Sequence, residues 1–189
     1  MKVLGVAGSL RGSSHNRQLL QAAASLLPPG LQFTEYAGLK LIPPFDEDDE
    51  AAPALAVVRW RVAIADADAV LFATPEYNSS VPGQLKNAID WASRPTEEAV
   101  LRNKPVAVIG ASTGSFGAVW AQAELRKVLA AAGARVIDRE LPVATAHEAF
   151  DDNGTLKDRD LTLELDGILA QLLYTTEQRH AVRTAGPVS

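Results

Sequence analysis

Apolar and polar positions along this chain switch between two periods, and the switches mark the predicted elements. Val3-Leu4-Gly5-Val6-Ala7 is a short apolar run, the pattern of a buried strand. Leu19-Leu20 and Leu26-Leu27 then fall at helical spacing, and Pro28-Pro29-Gly30 ends that helix, because proline cannot continue it. Residues 31–36 alternate apolar and polar, as a half-buried strand does. Residues 54–67 carry a helical stripe through Leu55, Val58, Val62 and Ala65. Ala69-Val70-Leu71-Phe72-Ala73-Thr74 and Val106-Ala107-Val108-Ile109 are unbroken apolar runs, expected of strands covered on both faces. A helix is predicted from Gln84 through Leu85, Ala88, Ile89 and Ala92, and another over 119–132 with Leu125, Val128 and Leu129 on one face. Gly133 is its stop signal. Residues 135–141 predict the last strand. Residues 158–178 predict an amphipathic closing helix on Leu161, Leu165, Ile168, Leu169, Leu172 and Leu173.

Strands alternating with helices imply an α/β fold with a parallel sheet and right-handed crossovers. The expected organisation is one domain over 1–180 and a disordered tail over 181–189. In such sheets ligands bind beyond the carboxyl ends of the strands. The loops after the first, third and fourth predicted strands are the three richest in Gly, Ser, Thr and Asn. The first of them, Gly8-Ser9-Leu10-Arg11-Gly12-Ser13-Ser14-His15-Asn16-Arg17, leads into a helix. A helix start has unpartnered N–H groups and a partial positive charge, so it suits an anion. Ser9, Ser13, Ser14 and Asn16 add donors, and Arg11 or Arg17 adds a full charge. This reads as a phosphate cradle, although Ser14 or Asn16 would serve equally as a helix cap. The loop has neither a Gly-Lys-Ser/Thr ending nor a G-x-G-x-x-G pattern, so neither ATP nor the usual dinucleotide fingerprint is indicated.

Composition removes other classes. The 189 residues are 47% hydrophobic, with 18 basic against 23 acidic side chains and a net charge of −5, which argues against nucleic acid and anionic membrane as partners. No run approaches the ~20 apolar residues of a membrane span, and Met1-Lys2 leads straight into a strand with no visible signal peptide. A cytoplasmic protein is expected. With no cysteine, disulfides, thiolate metal sites and cysteine nucleophiles are excluded. Asp151-Asp152-Asn153-Gly154 lacks the spacing of a calcium loop and is read as a turn. A G-x-S-x-G elbow is also missing, which disfavours an esterase.

On these motifs the chain resembles the NADPH-dependent FMN reductases, a family of flavodoxin-like fold that includes quinone, chromate and azo-dye reductases. The matching residues are Gly8-Ser9-Leu10-Arg11 with Ser14 and Asn16-Arg17, then Pro75-Glu76-Tyr77-Asn78-Ser79-Ser80-Val81-Pro82-Gly83 with Leu85-Lys86-Asn87-Ala88-Ile89-Asp90-Trp91, and Gly110-Ala111-Ser112-Thr113-Gly114. The resemblance implies a doubly wound, five-stranded parallel sheet in the order 2-1-3-4-5 with helices on both faces. It implies FMN as cofactor and NADPH or NADH as co-substrate. Ser9, Arg11, Ser14 and Asn16, with Arg17, would bind the FMN phosphate. Pro75, Glu76, Tyr77 and Asn78 would pass beside the isoalloxazine ring, and Ser112 and Gly114 would line its other edge.

No catalytic side chain is expected, because the flavin carries the chemistry. A nicotinamide would deliver hydride to the ring, and a small-molecule acceptor would then take the electrons by a ping-pong route. Quinones, free flavin, azo compounds and metal oxyanions all qualify. Some roles stay open. Tyr77 is a flavin wall or core; Glu76 is a proton donor or the partner of an arginine at a subunit interface; Phe116 faces the ring or turns inward. Trp91, Leu85 and the Arg94-Pro95 corner pack a helix or form the interface of an expected homodimer or tetramer. The alternative function is a flavodoxin-type electron carrier with little turnover of its own.

Overall fold

The unbroken apolar runs become the middle of a sheet, and the alternating one becomes its edge. In the computed structural model, which describes residues 1–184, β1 (Lys2–Ala7), β3 (Ala69–Thr74) and β4 (Pro105–Ala111) lie side by side and almost wholly buried. β2 (Gln32–Glu35), half-buried, flanks β1. The order is β2-β1-β3-β4-β5 and every pairing is parallel, as the flavodoxin-like reading expects. Val6 stands beside Phe72, and Phe72 beside Val108.

Alternate side chains leave the sheet on opposite faces, and each face has its own helices. Leu71 and Ile109 pack with Leu19 and Leu20 of α1 (His15–Leu26) and with Leu165 and Ile168 of α5 (Arg159–Thr184). Val6, Phe72 and Val108 pack with α2 (Leu55–Asp66), α3 (Gly83–Ala92) and α4 (Val119–Ala131), through Trp60, Ile89, Trp91 and Leu125. Among the described residues no helix is long and apolar enough to cross a membrane.

Four details differ from the sequence reading or decide between its alternatives. The helix over 54–67 forms, but Leu55, Val58, Val62 and Ala65 are its exposed face, while Val57, Trp60 and Ile64 enter the core. Leu85 and Trp91 are fully buried within one chain, so they pack the helix and offer nothing to an interface. The expected strand 135–141 is split into β5 (Arg135–Val136) and β6 (Pro142–Val143), which pair with opposite ends of β4. Between them the charged Asp138-Arg139-Glu140 leaves the ladder: Arg139 pairs with Glu164 at 2.7 Å and Glu140 with Arg126 at 2.9 Å. The buried Gln122 fills the gap, its Oε1 accepting the Leu141 N–H at 3.0 Å and its Nε2 donating to Leu141 O at 3.2 Å. Finally, α5 runs on to Thr184, past the boundary predicted at 180, and residues 185–189 of the expected tail lie outside the described residues. The 151–154 segment is the turn expected of it, with Asp151 Oδ1 accepting the N–H groups of Asn153 and Thr155.

Candidate functional site

β1, β3 and β4 end at one edge of the sheet, and the loops that follow them meet around a cleft of about 170 Å³. Gly8 sits tightly where the first two of these loops meet. Its N–H donates to Ala73 O at 2.8 Å, and a Cβ there would lie 2.8 Å from Leu85 Cδ2 and 3.2 Å from Pro75 Cδ. A side chain there would press on Leu85 of α3 and on the Pro75 ring at the start of the second loop.

In the first loop Ser14 is the N-cap of α1, its hydroxyl accepting the Arg17 N–H at 3.4 Å and its carbonyl the Gln18 N–H at 3.1 Å. The N–H groups of His15 and Asn16 have no acceptor among the described residues, the condition that makes a helix start receptive to an anion. Ser9 is buried at the same place, its Oγ taking the Arg11 N–H at 3.4 Å. The Arg11 guanidinium is exposed and makes no hydrogen bond or ion pair within the described residues. Arg17 differs: its Nε donates to Glu35 Oε1 at 2.5 Å and its Nη1 to Gly12 O at 3.5 Å. Asn16 is also committed, because both ends of its amide bond the backbone of Ala111.

The second loop turns on Asn78 and Ser79, both left-handed at φ +54° and +58°. Tyr77 and Ser80 exchange both backbone hydrogen bonds at 3.1 Å across them, the geometry of a type I′ turn. The turn leaves the Tyr77 ring 53% exposed, so it is not core. Two carboxylates tie this loop to α4. Glu76 Oε2 accepts the Ala121 N–H at 3.0 Å, and Glu124 Oε2 accepts the Ser80 hydroxyl at 2.6 Å. Helix α4 begins at a left-handed Ala118 with no side-chain cap of its own. Glu76 supplies the missing acceptor from another element, with its negative charge at the positive helix end.

The third loop is held against the end of the sheet. The Ser112 N–H donates to Val143 O at 3.0 Å, the Thr145 N–H donates to Gly114 O at 3.1 Å, and Ser112 Oγ accepts the Gly114 N–H at 3.1 Å.

Ser9, Arg11, Ser14 and Asn16 line the cleft from the first loop, Pro75, Glu76 and Tyr77 from the second, and Ser112 from the third. Arg17, Asn78 and Gly114 are not in the lining: Arg17 braces the loop, Asn78 makes the turn, and Gly114 lies just beyond Thr113. His15, Ala111 and Thr113 complete the lining and were not singled out from sequence. The position of His15, directly after a serine cap, was the available signal. A larger cleft of about 360 Å³ lies between α3 and α4, away from these loops. Its cations already have partners: Lys86 is 2.7 Å from Asp90, Arg94 is 3.5 Å from Glu50, and Arg102 donates to Thr96 O at 2.9 Å.

The smaller cleft suits the phosphate of FMN. Two unpaired helix amides, the Ser9 and Ser14 hydroxyls and the Arg11 guanidinium are all donors, while Glu76, the carboxylate in the lining, is turned to Ala121. Residues 1–148 match the family model described as NADPH-dependent FMN reductase. The chain belongs to that family. It is 48% identical over 160 residues to an NAD(P)H-dependent FMN reductase of Pseudomonas aeruginosa, covering 84% of this chain and 85% of the relative. A 2-hydroxy-1,4-benzoquinone reductase of a Burkholderia species is 40% identical over 162 residues, covering 85% and 87%. Among solved structures, the flavoenzyme NAD(P)H:(acceptor) oxidoreductase FerB from Paracoccus denitrificans superposes with a TM-score of 0.82 at 35% identity, covering 94% of this chain and 97% of that one. As an FMN reductase family member the chain is an oxidoreductase with FMN as cofactor and NAD(P)H as its reductant.

Proposed function

We propose that this chain is an NAD(P)H:quinone reductase that works by a ping-pong route. The observation that carries the reading is the convergence of three loops on one cleft whose first loop presents donors without acceptors. When bound, FMN supplies a ring that accepts hydride and returns two electrons. The chain's own residues hold it. Ser9, Ser14, Arg11 and the His15 and Asn16 amides grip the phosphate, with Asn16 and Arg17 fixing the loop that carries them. Pro75, Glu76, Tyr77 and Asn78 shape one side of the ring's place, and Ser112 and Gly114 the other edge. NAD(P)H gives up a hydride, and the quinone leaves as hydroquinone after gaining two electrons and two protons, the second proton coming from water.

Ping-pong order is supported by the sequence, which has no separate dinucleotide fingerprint beside the flavin cradle, so donor and acceptor would use one place in turn. Quinones are preferred to free flavin, azo compounds and metal oxyanions because of the benzoquinone reductase among the similar proteins. A cytoplasmic location and a homodimer or tetramer belong to the same reading. The exposed Leu55, Val58 and Val62 of α2 are one apolar surface available for association. Initial rates at several NADPH and benzoquinone concentrations test the mechanism. Parallel double-reciprocal lines are expected, and converging lines would refute the ping-pong order. Tight FMN binding without NADPH consumption by any acceptor would point instead to a flavodoxin-type carrier.

A further inference from the structure

Of the large apolar side chains left exposed, four belong to the loops that form the cleft or to the segment that follows the third of them. Leu10 stands between Ser9 and Arg11 of the first loop, and Tyr77 belongs to the second. Phe116 follows Thr113 of the third loop by three residues. Trp120 immediately precedes Ala121, whose N–H is held by Glu76 of the lining. Phe116 is 63% exposed and Trp120 48%, with ring centroids 4.9 Å apart and planes inclined by 57°. Each ring therefore supports the other while keeping a face toward solvent.

The other two tryptophans of the chain behave differently. Trp60 and Trp91 are fully buried, with indole N–H groups donating to Ala88 O and Pro43 O at 2.7 and 2.9 Å. The Trp120 N–H has no acceptor among the described residues. An exposed ring pair with a spare donor does not serve this chain's own core.

Its scaffold is fixed. Gly117 is left-handed at φ +58°, and a Cβ there would lie 2.3 Å from the Pro142 carbonyl carbon. The Gln122 Nε2 donates to Gly117 O at 3.1 Å. The nearby carboxylates Glu76 and Glu124 are bound to Ala121, Ser80 and Val81, which leaves the wall apolar. A rigid aromatic face with one free N–H, beside a cofactor cleft, matches a flat ring that bears carbonyl oxygens.

Resting on the quinone reductase reading above, we propose that Phe116 and Trp120 form the wall against which a planar aromatic acceptor lies, with the Trp120 N–H donating to an acceptor oxygen, and that this pair sets acceptor preference. Two measurements on the FMN-loaded protein test it. Titration calorimetry of the oxidised protein with benzoquinone reads binding without turnover. The doubly substituted Phe116→Ala/Trp120→Ala protein should bind about tenfold more weakly, the scale of lost aromatic contacts, and Trp120→Phe should lie between it and the parent. In turnover, the ratio of kcat/KM for benzoquinone to that for ferricyanide, an inorganic one-electron acceptor, should fall to a similar extent. Equal losses on both acceptors, or unchanged quinone binding, would overturn the wall. So would a change of sedimentation coefficient in the double variant, which would make the pair a contact between copies of the chain. A parent protein that binds quinone through this pair but never reduces it would refute the reductase reading and leave the wall standing.

Discussion

Asn16 and Ala111 are joined twice: Nδ2 donates to Ala111 O at 2.8 Å, and Oδ1 accepts the Ala111 N–H at 2.9 Å. The amide thus pairs with the last residue of β4 as a neighbouring strand would, and it ties the first loop of the cleft to the third. Asn16→Ala leaves a buried N–H and a buried carbonyl without partners, a loss of about 1–3 kcal/mol. Urea unfolding should show it, and FMN affinity should fall because two walls of the cleft are no longer fixed to each other. Asn16→Asp should be no better, since it sets a carboxylate oxygen against Ala111 O.

The two arginines of the first loop should separate cleanly. Arg11 has no partner in the described chain, so Arg11→Ala should weaken FMN binding by about 1.5–3 kcal/mol, the range of a charged hydrogen bond. Its unfolding midpoint should stay unchanged. Arg17 is paired with Glu35, and both are part-exposed, where such pairs are worth about 0–1 kcal/mol. Arg17→Ala should therefore change FMN affinity less than Arg11→Ala does. A flavin fluorescence titration of both variants reads the difference.

Glu76 is held as the cap of another element's helix, and that role sets its mutational signature. Glu76→Gln keeps an oxygen for the Ala121 N–H and should keep most of the turnover number. Glu76→Ala removes the acceptor and should cost about 1 kcal/mol of stability, as loss of a helix cap does. If Glu76→Gln abolished turnover while FMN remained bound, the carboxyl would be a proton donor after all.

What could be read from the chain, and what could not, divides along physical lines. The three unbroken or near-unbroken apolar runs gave β1, β3 and β4, because a strand covered on both faces has no polar positions to hide it. Their Gly- and Ser-rich followers then pointed to the cleft. The commitments of Asn16 and Arg17 were not legible, since Ala111 and Glu35 are distant in sequence and a polar loop residue carries no mark of its partner. Nor was the split at β5 and β6, where Gln122 on α4 takes over pairing that the charged 138–140 segment abandons.

Acid should loosen the contact between the two ends of the chain. Asp68, just before β3, accepts the Lys2 N–H at 2.7 Å and lies 3.0 Å from His180 Nε2 on α5. Burial alone would raise its carboxyl pKa, but the Lys2 N–H and the charge of protonated His180 outweigh that, and the net shift is downward. A folded pKa below the unfolded one means that the unfolded chain binds more protons as pH falls. The stabilisation is complete above the ordinary carboxylate value of about 3.9 and disappears as pH drops through the lowered folded value. Asp68→Asn should therefore be less stable than the parent near neutral pH, and the gap should close below about pH 4 in urea unfolding curves.

Helix α2 carries two apolar stripes, and only one can face the sheet. Leu55, Val58, Val62 and Ala65 make as regular a helical stripe as Val57, Trp60 and Ile64, so periodicity alone does not choose between them. The indole decides. Trp60 packs 4.7 Å from the Tyr36 ring and donates its N–H to Ala88 O, gaining burial and a partner that no residue of the other stripe needs. Trp60→Ala should cost about 3–5 kcal/mol, the range for emptying a buried aromatic site. Val62→Ala, at a site 51% exposed, should stay within about 0.5 kcal/mol under conditions where the chain is monomeric. Comparable losses in the two variants would mean that the outer stripe is also covered. Repeating the measurement over a range of protein concentrations would then show whether the cover is a second copy, since only that loss would grow with concentration.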